Sequence, residues 1–194
     1  MIELGCVWAA VVLGLAYLDR VGADSWGPVV LVTGVVIPAL VGCRPMPSFV
    51  NREGLRGDLR LVLTWGLGLI VIGFIICRLL FRSGLLPIQP RPSGLWAWLS
   101  WQCLVVAPSE ELFFRGYIQA QWPGRSSGGL RGNIAAIIGS STLFACAHAV
   151  VRGQPSAAMT FVPGLVMGWL YAMTGRLIAP TIFHGLANLS WALM

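Results

Sequence analysis

The stretch "LRLVLTWGLGLIVIGFIIC", residues 59–77, holds a single charge, Arg60, and shows no alternation of polar and apolar positions. A strand of a membrane barrel alternates its faces at every residue over ~10 positions, and this stretch does not. As a helix rising ~1.5 Å per residue, it is about as long as the hydrocarbon core of a bilayer is thick. A helix also satisfies its own backbone N–H and C=O groups, which lipid cannot do for it. The stretch therefore reads as a membrane-crossing helix.

Further apolar runs lie on either side of it, at roughly 2–18, 28–43, 95–121, 132–150, 157–173 and 177–193, while the run around the quoted stretch extends to roughly 59–81. The chain of 194 residues is 57% hydrophobic and 10% charged, with mean hydropathy +0.79. Soluble domains carry about 25% charged residues, so a soluble core is excluded. The fold expected is all-α, a polytopic membrane helical bundle of about 7–8 transmembrane helices.

All 13 cationic residues are Arg, and they lie mainly in connecting segments rather than on one compact basic face, which argues against nucleic-acid binding. Arg44, Arg52, Arg56 and Arg60 crowd one connector, whereas the first connector holds Asp19, Arg20 and Asp24. The positive-inside rule then places residues 44–60 and the N-terminus in the cytoplasm and, with seven spans, the C-terminus outside. Arg125, Arg131 and Arg176 fall on the cytoplasmic side, with Arg82, Arg91 and Arg152 opposite. Glu3 and the lack of a basic leading segment make the first helix a retained span rather than a signal peptide. The five cysteines, Cys6, Cys43, Cys77, Cys103 and Cys146, are widely spaced and read as small buried side chains rather than disulfides or a thiolate cluster. Trp96, Trp98, Trp101 and Trp122 suit headgroup-level anchoring, and Gly164 with Gly168 forms a GxxxG that permits close helix packing. Residues 44–58 and the proline-rich 85–94 read as connectors.

The ionisable residues are distributed unevenly. Beyond Asp58 the only acids are Glu110 and Glu111, and the only histidines of the chain are His148 and His184; all four lie inside apolar runs. An ionisable group in a membrane span costs at least ~2.5 kcal/mol even on lenient insertion scales, so each needs a protein interior or wet cavity and a partner. Three i,i+4 pairs share helical faces: Glu111 with Arg115, Phe144 with His148, and His184 with Asn188. Glu110 lies ~100° round the helix from Glu111, so the two carboxylates can serve separate ends. Glu111 is neutralised by Arg115 as a structural pair, and Glu110 faces a cavity with the histidines. Such a set can hydrolyse an amide: Glu110 as general base on a water with His148 assisting, and His184 with Asn188 donating to the oxyanion. Phe144 reads as packing beside His148. Counted from the expected cytoplasmic ends, Glu110 lies roughly 16 Å deep, His148 roughly 24 Å and His184 roughly 10 Å, so convergence requires tilt or displaced ends. Two His and a Glu can bind zinc, but the ligands sit on separate spans and no HExxH occurs, so zinc is disfavoured and no cofactor is expected. A transporter or proton-conducting protein using the buried Glu and His is the alternative, as is a bacteriocin-processing or immunity membrane protein.

At these residues the chain resembles the CPBP family of intramembrane endopeptidases, the CAAX prenyl protease 2 or Rce1-like group, which is related to abortive-infection proteins. Three motifs occur in order: EExxxR as "EELFFR" (Glu110, Glu111, Arg115), FxxxH as "FACAH" (Phe144, His148) and HxxxN as "HGLAN" (His184, Asn188). The resemblance implies N-terminal transmembrane helices and connectors over 1–94 and a catalytic membrane core over 95–194. It also implies a glutamic-type protease cutting near the C-terminus of membrane-anchored or lipidated protein substrates. Glu110 and His148 would activate water, His184 and Asn188 would stabilise the oxyanion, and Glu111 with Arg115 would organise the site. Partners are then the lipid bilayer and a protein or peptide substrate. The all-Arg basic content and compactness point to a bacterial inner membrane, with C-terminal sorting tails as the preferred substrate class.

Overall fold

A computed structural model describes residues 2–41, 54–84, 93–125 and 129–193. Cys43, Arg44, Arg52 and Arg91, with most of the connectors that hold them, lie outside the described residues. Among the described residues seven helical segments follow one another: α1 Ile2–Arg20, α2 Asp24–Val41, α3 Leu55–Arg82, α4 over residues 95–119, α5 Gly129–Arg152, α6 Pro155–Thr174 and α7 Ile178–Ala192. There is no strand among the described residues. Each segment coincides with one of the apolar runs. Five of them, α1, α2, α3, α5 and α6, are long and apolar enough to cross a membrane. Of the other two, α4 carries Glu110, Glu111 and Arg115, and α7 has 15 residues.

Local chemistry sets the irregularities. Pro108 cannot donate to the carbonyl one turn back, and α4 widens into a π-helical turn at Gln102–Val106 just before it. A longer π-helical stretch, Leu112–Gln119, follows the two glutamates. Such turns rotate the side chains that follow and recur at functional sites. Gly175 ends α6 with φ 66°, a left-handed conformation that glycine takes without strain, and its N–H closes on the Tyr171 carbonyl at 2.8 Å.

The core is built around α4, where every residue from Phe113 to Gln119 is buried. Phe113, Phe114, Tyr117 and Ile118 pack with Leu4 and Val11 of α1, Val35 of α2, Phe144 of α5, Leu170 of α6 and Phe183 of α7. The outside of the bundle is apolar, with Leu13, Leu40, Ile72, Leu104 and Ile138 exposed, and the second half of α3 buries nothing. Lipid contact accounts for such a surface, which water would not tolerate over this extent. The chain is an integral membrane protein with an all-α bundle.

Contacts at the helix ends give the order of crossing. Tyr117 near the end of α4 donates to Glu3 at the start of α1 (3.2 Å), and Asp58 at the start of α3 pairs with Arg176 between α6 and α7. Phe81 and Trp191, at the far ends of α3 and α7, meet with ring centroids 5.5 Å apart. The helices therefore run alternately up and down.

Two sequence expectations need correction. Cys6 and Cys146 are exposed free thiols, and Cys77 and Cys103 are only partly buried; an apolar thiol can face lipid as readily as a core. Trp96 is 78% exposed, as an anchor should be, but Trp122 packs on the core cluster.

Candidate active site

The second half of α4 places Glu111, Arg115 and Gln119 one turn apart in a column facing α6. Glu111 Oε2 and Arg115 Nε are 3.1 Å apart with both side chains fully buried. Burying either charge alone would be costly, so the pair is a condition for placing either one here. Arg115 also donates through Nη2 to the Gly164 carbonyl (3.2 Å), and its guanidinium carbon lies 5.2 Å above the Phe144 ring centroid. One turn on, Gln119 Nε2 donates to the Gly168 carbonyl (2.8 Å) and Gln119 Oε1 accepts from Ser140 (3.3 Å). The GxxxG of α6 thus does more than allow close approach. With no side chains in the way, its two carbonyls become acceptors for α4.

Glu111 has a second partner, because its Oε1 lies 2.9 Å from His184 Nδ1. A carboxylate can only accept, so Nδ1 carries the proton and Nε2 is turned the other way. There it stands 3.6 Å from Glu110 Oε2. His148 is held in the same manner: its Nδ1 bonds the Phe144 carbonyl at 3.1 Å, and its Nε2 lies 3.8 Å from that same Glu110 oxygen. The Phe144 ring separates the parts, its centroid 4.3 Å from the His148 ring and 5.8 Å, edge-on, from the His184 ring. Glu110 Oε2 is buried without a hydrogen-bond partner among the described residues. Exposure within the cluster is uneven. Glu110 and His148 are each 16% exposed, against 5% for His184 and none for Glu111 and Arg115.

The structure therefore brings Glu110, Glu111, Arg115, Phe144, His148 and His184 into one cluster, although counting along the spans set the depths of His148 and His184 apart. That count assumed that every helix starts at one level, whereas His148 sits one turn from the end of the 24-residue α5. Asn188 shares a face of α7 with His184, but its amide donates to Gln102 Oε1 on α4 (3.0 Å) rather than to the cluster. Among the described residues no three His, Cys, Asp or Glu are arranged to hold a metal ion.

Sequence reading missed two residues. Gln102 carries a signal that could have found it, since a glutamine inside an apolar span needs a partner. Asp58 read as part of a charged connector, yet it is fully buried and grips Arg176 through two bonds, Nε to Oδ2 at 2.8 Å and Nη2 to Oδ1 at 2.6 Å. Nothing in the sequence links residues 118 positions apart.

A family model described as type II CAAX prenyl endopeptidase Rce1-like matches residues 92–190, just over half of the chain. No curated protein and no solved structure matches.

Proposed function

The chain belongs to the Rce1-like type II CAAX prenyl endopeptidase family, and on that premise we propose that it is a glutamic-type intramembrane protease. It hydrolyses a peptide bond near the C-terminus of a membrane-anchored or lipid-modified protein. The observation that carries this reading is one buried carboxylate oxygen, Glu110 Oε2, faced by two imidazole Nε2 atoms at 3.6 and 3.8 Å and without a hydrogen-bond partner among the described residues. Both separations exceed a direct hydrogen bond and suit a water held between the groups.

In this mechanism Glu110 takes a proton from that water while His148, whose Nε2 is the accepting face of the ring, holds it. The resulting hydroxide adds to the scissile carbonyl. His184 Nε2, protonated when the ring carries both hydrogens, and an N–H of Asn188 donate to the oxyanion as charge develops there. Glu110 then returns its proton to the leaving amine, so one carboxyl serves as base and acid in turn. Glu111 and Arg115 fix the His184 ring and touch no reacting atom. No step uses a metal. We place the protein in a bacterial inner membrane with C-terminal sorting tails as substrates, a reading supported by its compactness and all-Arg basic content.

The test compares C-termini of membrane proteins by mass spectrometry in cells carrying wild type or Glu110→Gln at matched abundance. A small set of proteins keeping uncut tails only in the variant is expected. Identical termini under conditions that require the gene would refute the protease reading.

A further inference from the structure

We propose that Gln102 is a positioning residue that sets the Asn188 amide for oxyanion stabilisation; the inference rests on the function proposed above. Three observations converge on it. The Gln102 side-chain carbonyl accepts from Asn188 Nδ2 at 3.0 Å, across 86 residues of sequence. The bond forms where α4 and α7 touch: a side-chain carbon at Gly185 would stand 2.9 Å from Cys103 Sγ and 3.6 Å from its Cβ, so the glycine lets the neighbour of Gln102 pack directly on α7. Gln102 also opens the π-helical turn Gln102–Val106 ahead of Pro108, a local distortion of the kind that recurs at functional sites.

The chemistry follows from what an amide can do. A primary amide can rotate to present either its carbonyl or its NH₂, and only the NH₂ can stabilise an oxyanion. An acceptor at Gln102 selects the NH₂ orientation, occupies one of the two hydrogens and leaves the other to donate. Asn188 follows His184 by one turn on the same face of α7, and His184 is itself fixed by Glu111. Each of the two oxyanion donors is thus held by a partner on α4, Glu111 for the imidazole and Gln102 for the amide.

The test is steady-state kinetics in nanodiscs with a farnesylated, fluorescently quenched peptide ending in Cys-aliphatic-aliphatic-X. The variants are Gln102→Met, which is near-isosteric without an acceptor, Gln102→Glu, which keeps an acceptor, Asn188→Ala and the Gln102→Met/Asn188→Ala double. Loss of an oxyanion donor should lower kcat by roughly 10²–10³ in Asn188→Ala. Loss of its supporting partner should lower kcat by about tenfold or more in Gln102→Met, with KM little changed. Gln102→Glu should retain more of the rate than Gln102→Met. The double variant should be no slower than Asn188→Ala alone, because Gln102 has nothing left to position. A Gln102→Met loss that adds fully to that of Asn188→Ala, or that moves KM instead of kcat, overturns the inference while the proposed function stands. An Asn188→Ala enzyme of wild-type rate would instead remove the oxyanion reading and the inference with it.

Discussion

Replacing Arg115 by methionine should cost about 4 kcal/mol of stability, chiefly through what it leaves behind. The guanidinium is fully buried, pairs with Glu111 at 3.1 Å, donates to the Gly164 carbonyl at 3.2 Å and lies 5.2 Å above the Phe144 ring. A hydrogen bond from a charged donor is worth about 1.5–3 kcal/mol. A desolvated cation–π contact can add ~2 kcal/mol. These terms overlap, and breaking a buried ion pair typically costs ~3–5 kcal/mol in all. That loss lowers the folded-to-unfolded ratio roughly a thousandfold, against a total stability of about 5–15 kcal/mol for ordinary proteins. The double variant Glu111→Gln/Arg115→Met buries no net charge and keeps an amide carbonyl for His184 Nδ1–H, so it should recover most of the loss. Equilibrium unfolding in mixed micelles, followed by circular dichroism, measures both. An Arg115→Met protein as stable as wild type, or a double variant that loses the sum of the two singles, would refute the reasoning.

The Asp58–Arg176 clasp should respond asymmetrically. Arg176→Ala strands a fully buried carboxylate and should cost ~3–5 kcal/mol, whereas Asp58→Ala leaves an arginine that is 24% exposed and can turn to water, and should cost less. Chemical unfolding of the two variants decides, and equal losses would contradict the burial difference. Gly168→Val places a side chain within 3.1 Å of Gln119 Oε1 and Ile137; it should lose about 1–3 kcal/mol by overpacking, and unchanged thermal unfolding would contradict the close α5–α6 approach. Activity on the farnesylated peptide should survive 1,10-phenanthroline. A loss restored by added zinc would overturn the metal-free mechanism.

Much of this architecture is legible from apolar runs, because a bilayer allows few ways to satisfy a backbone. The i,i+4 pairs Glu111–Arg115 and Phe144–His148 are legible because one helix fixes their geometry. Hydropathy cannot distinguish a side chain facing lipid from one facing core, and for that reason Cys6 and Cys146 read as buried and are exposed. The bonds that assemble the site, Glu111 to His184 and Gln102 to Asn188, cross from α4 to α7 over 73 and 86 residues. No local period encodes them. A buried charge announces that it needs a partner without saying which helix supplies it, and Asp58 shows how such a group can pass for a loop residue.

The central claim is that Glu110 activates the attacking water, and single-turnover cleavage of the farnesylated peptide by purified Glu110→Gln tests it most directly. General-base catalysis contributes roughly 10²–10⁴ in rate, so cleavage should slow by that factor while thermal unfolding stays near the wild-type temperature, since Glu110 Oε2 makes no hydrogen bond to another of the described residues. Cleavage at the wild-type rate by a fully folded Glu110→Gln protein would contradict the account and move the base to another residue.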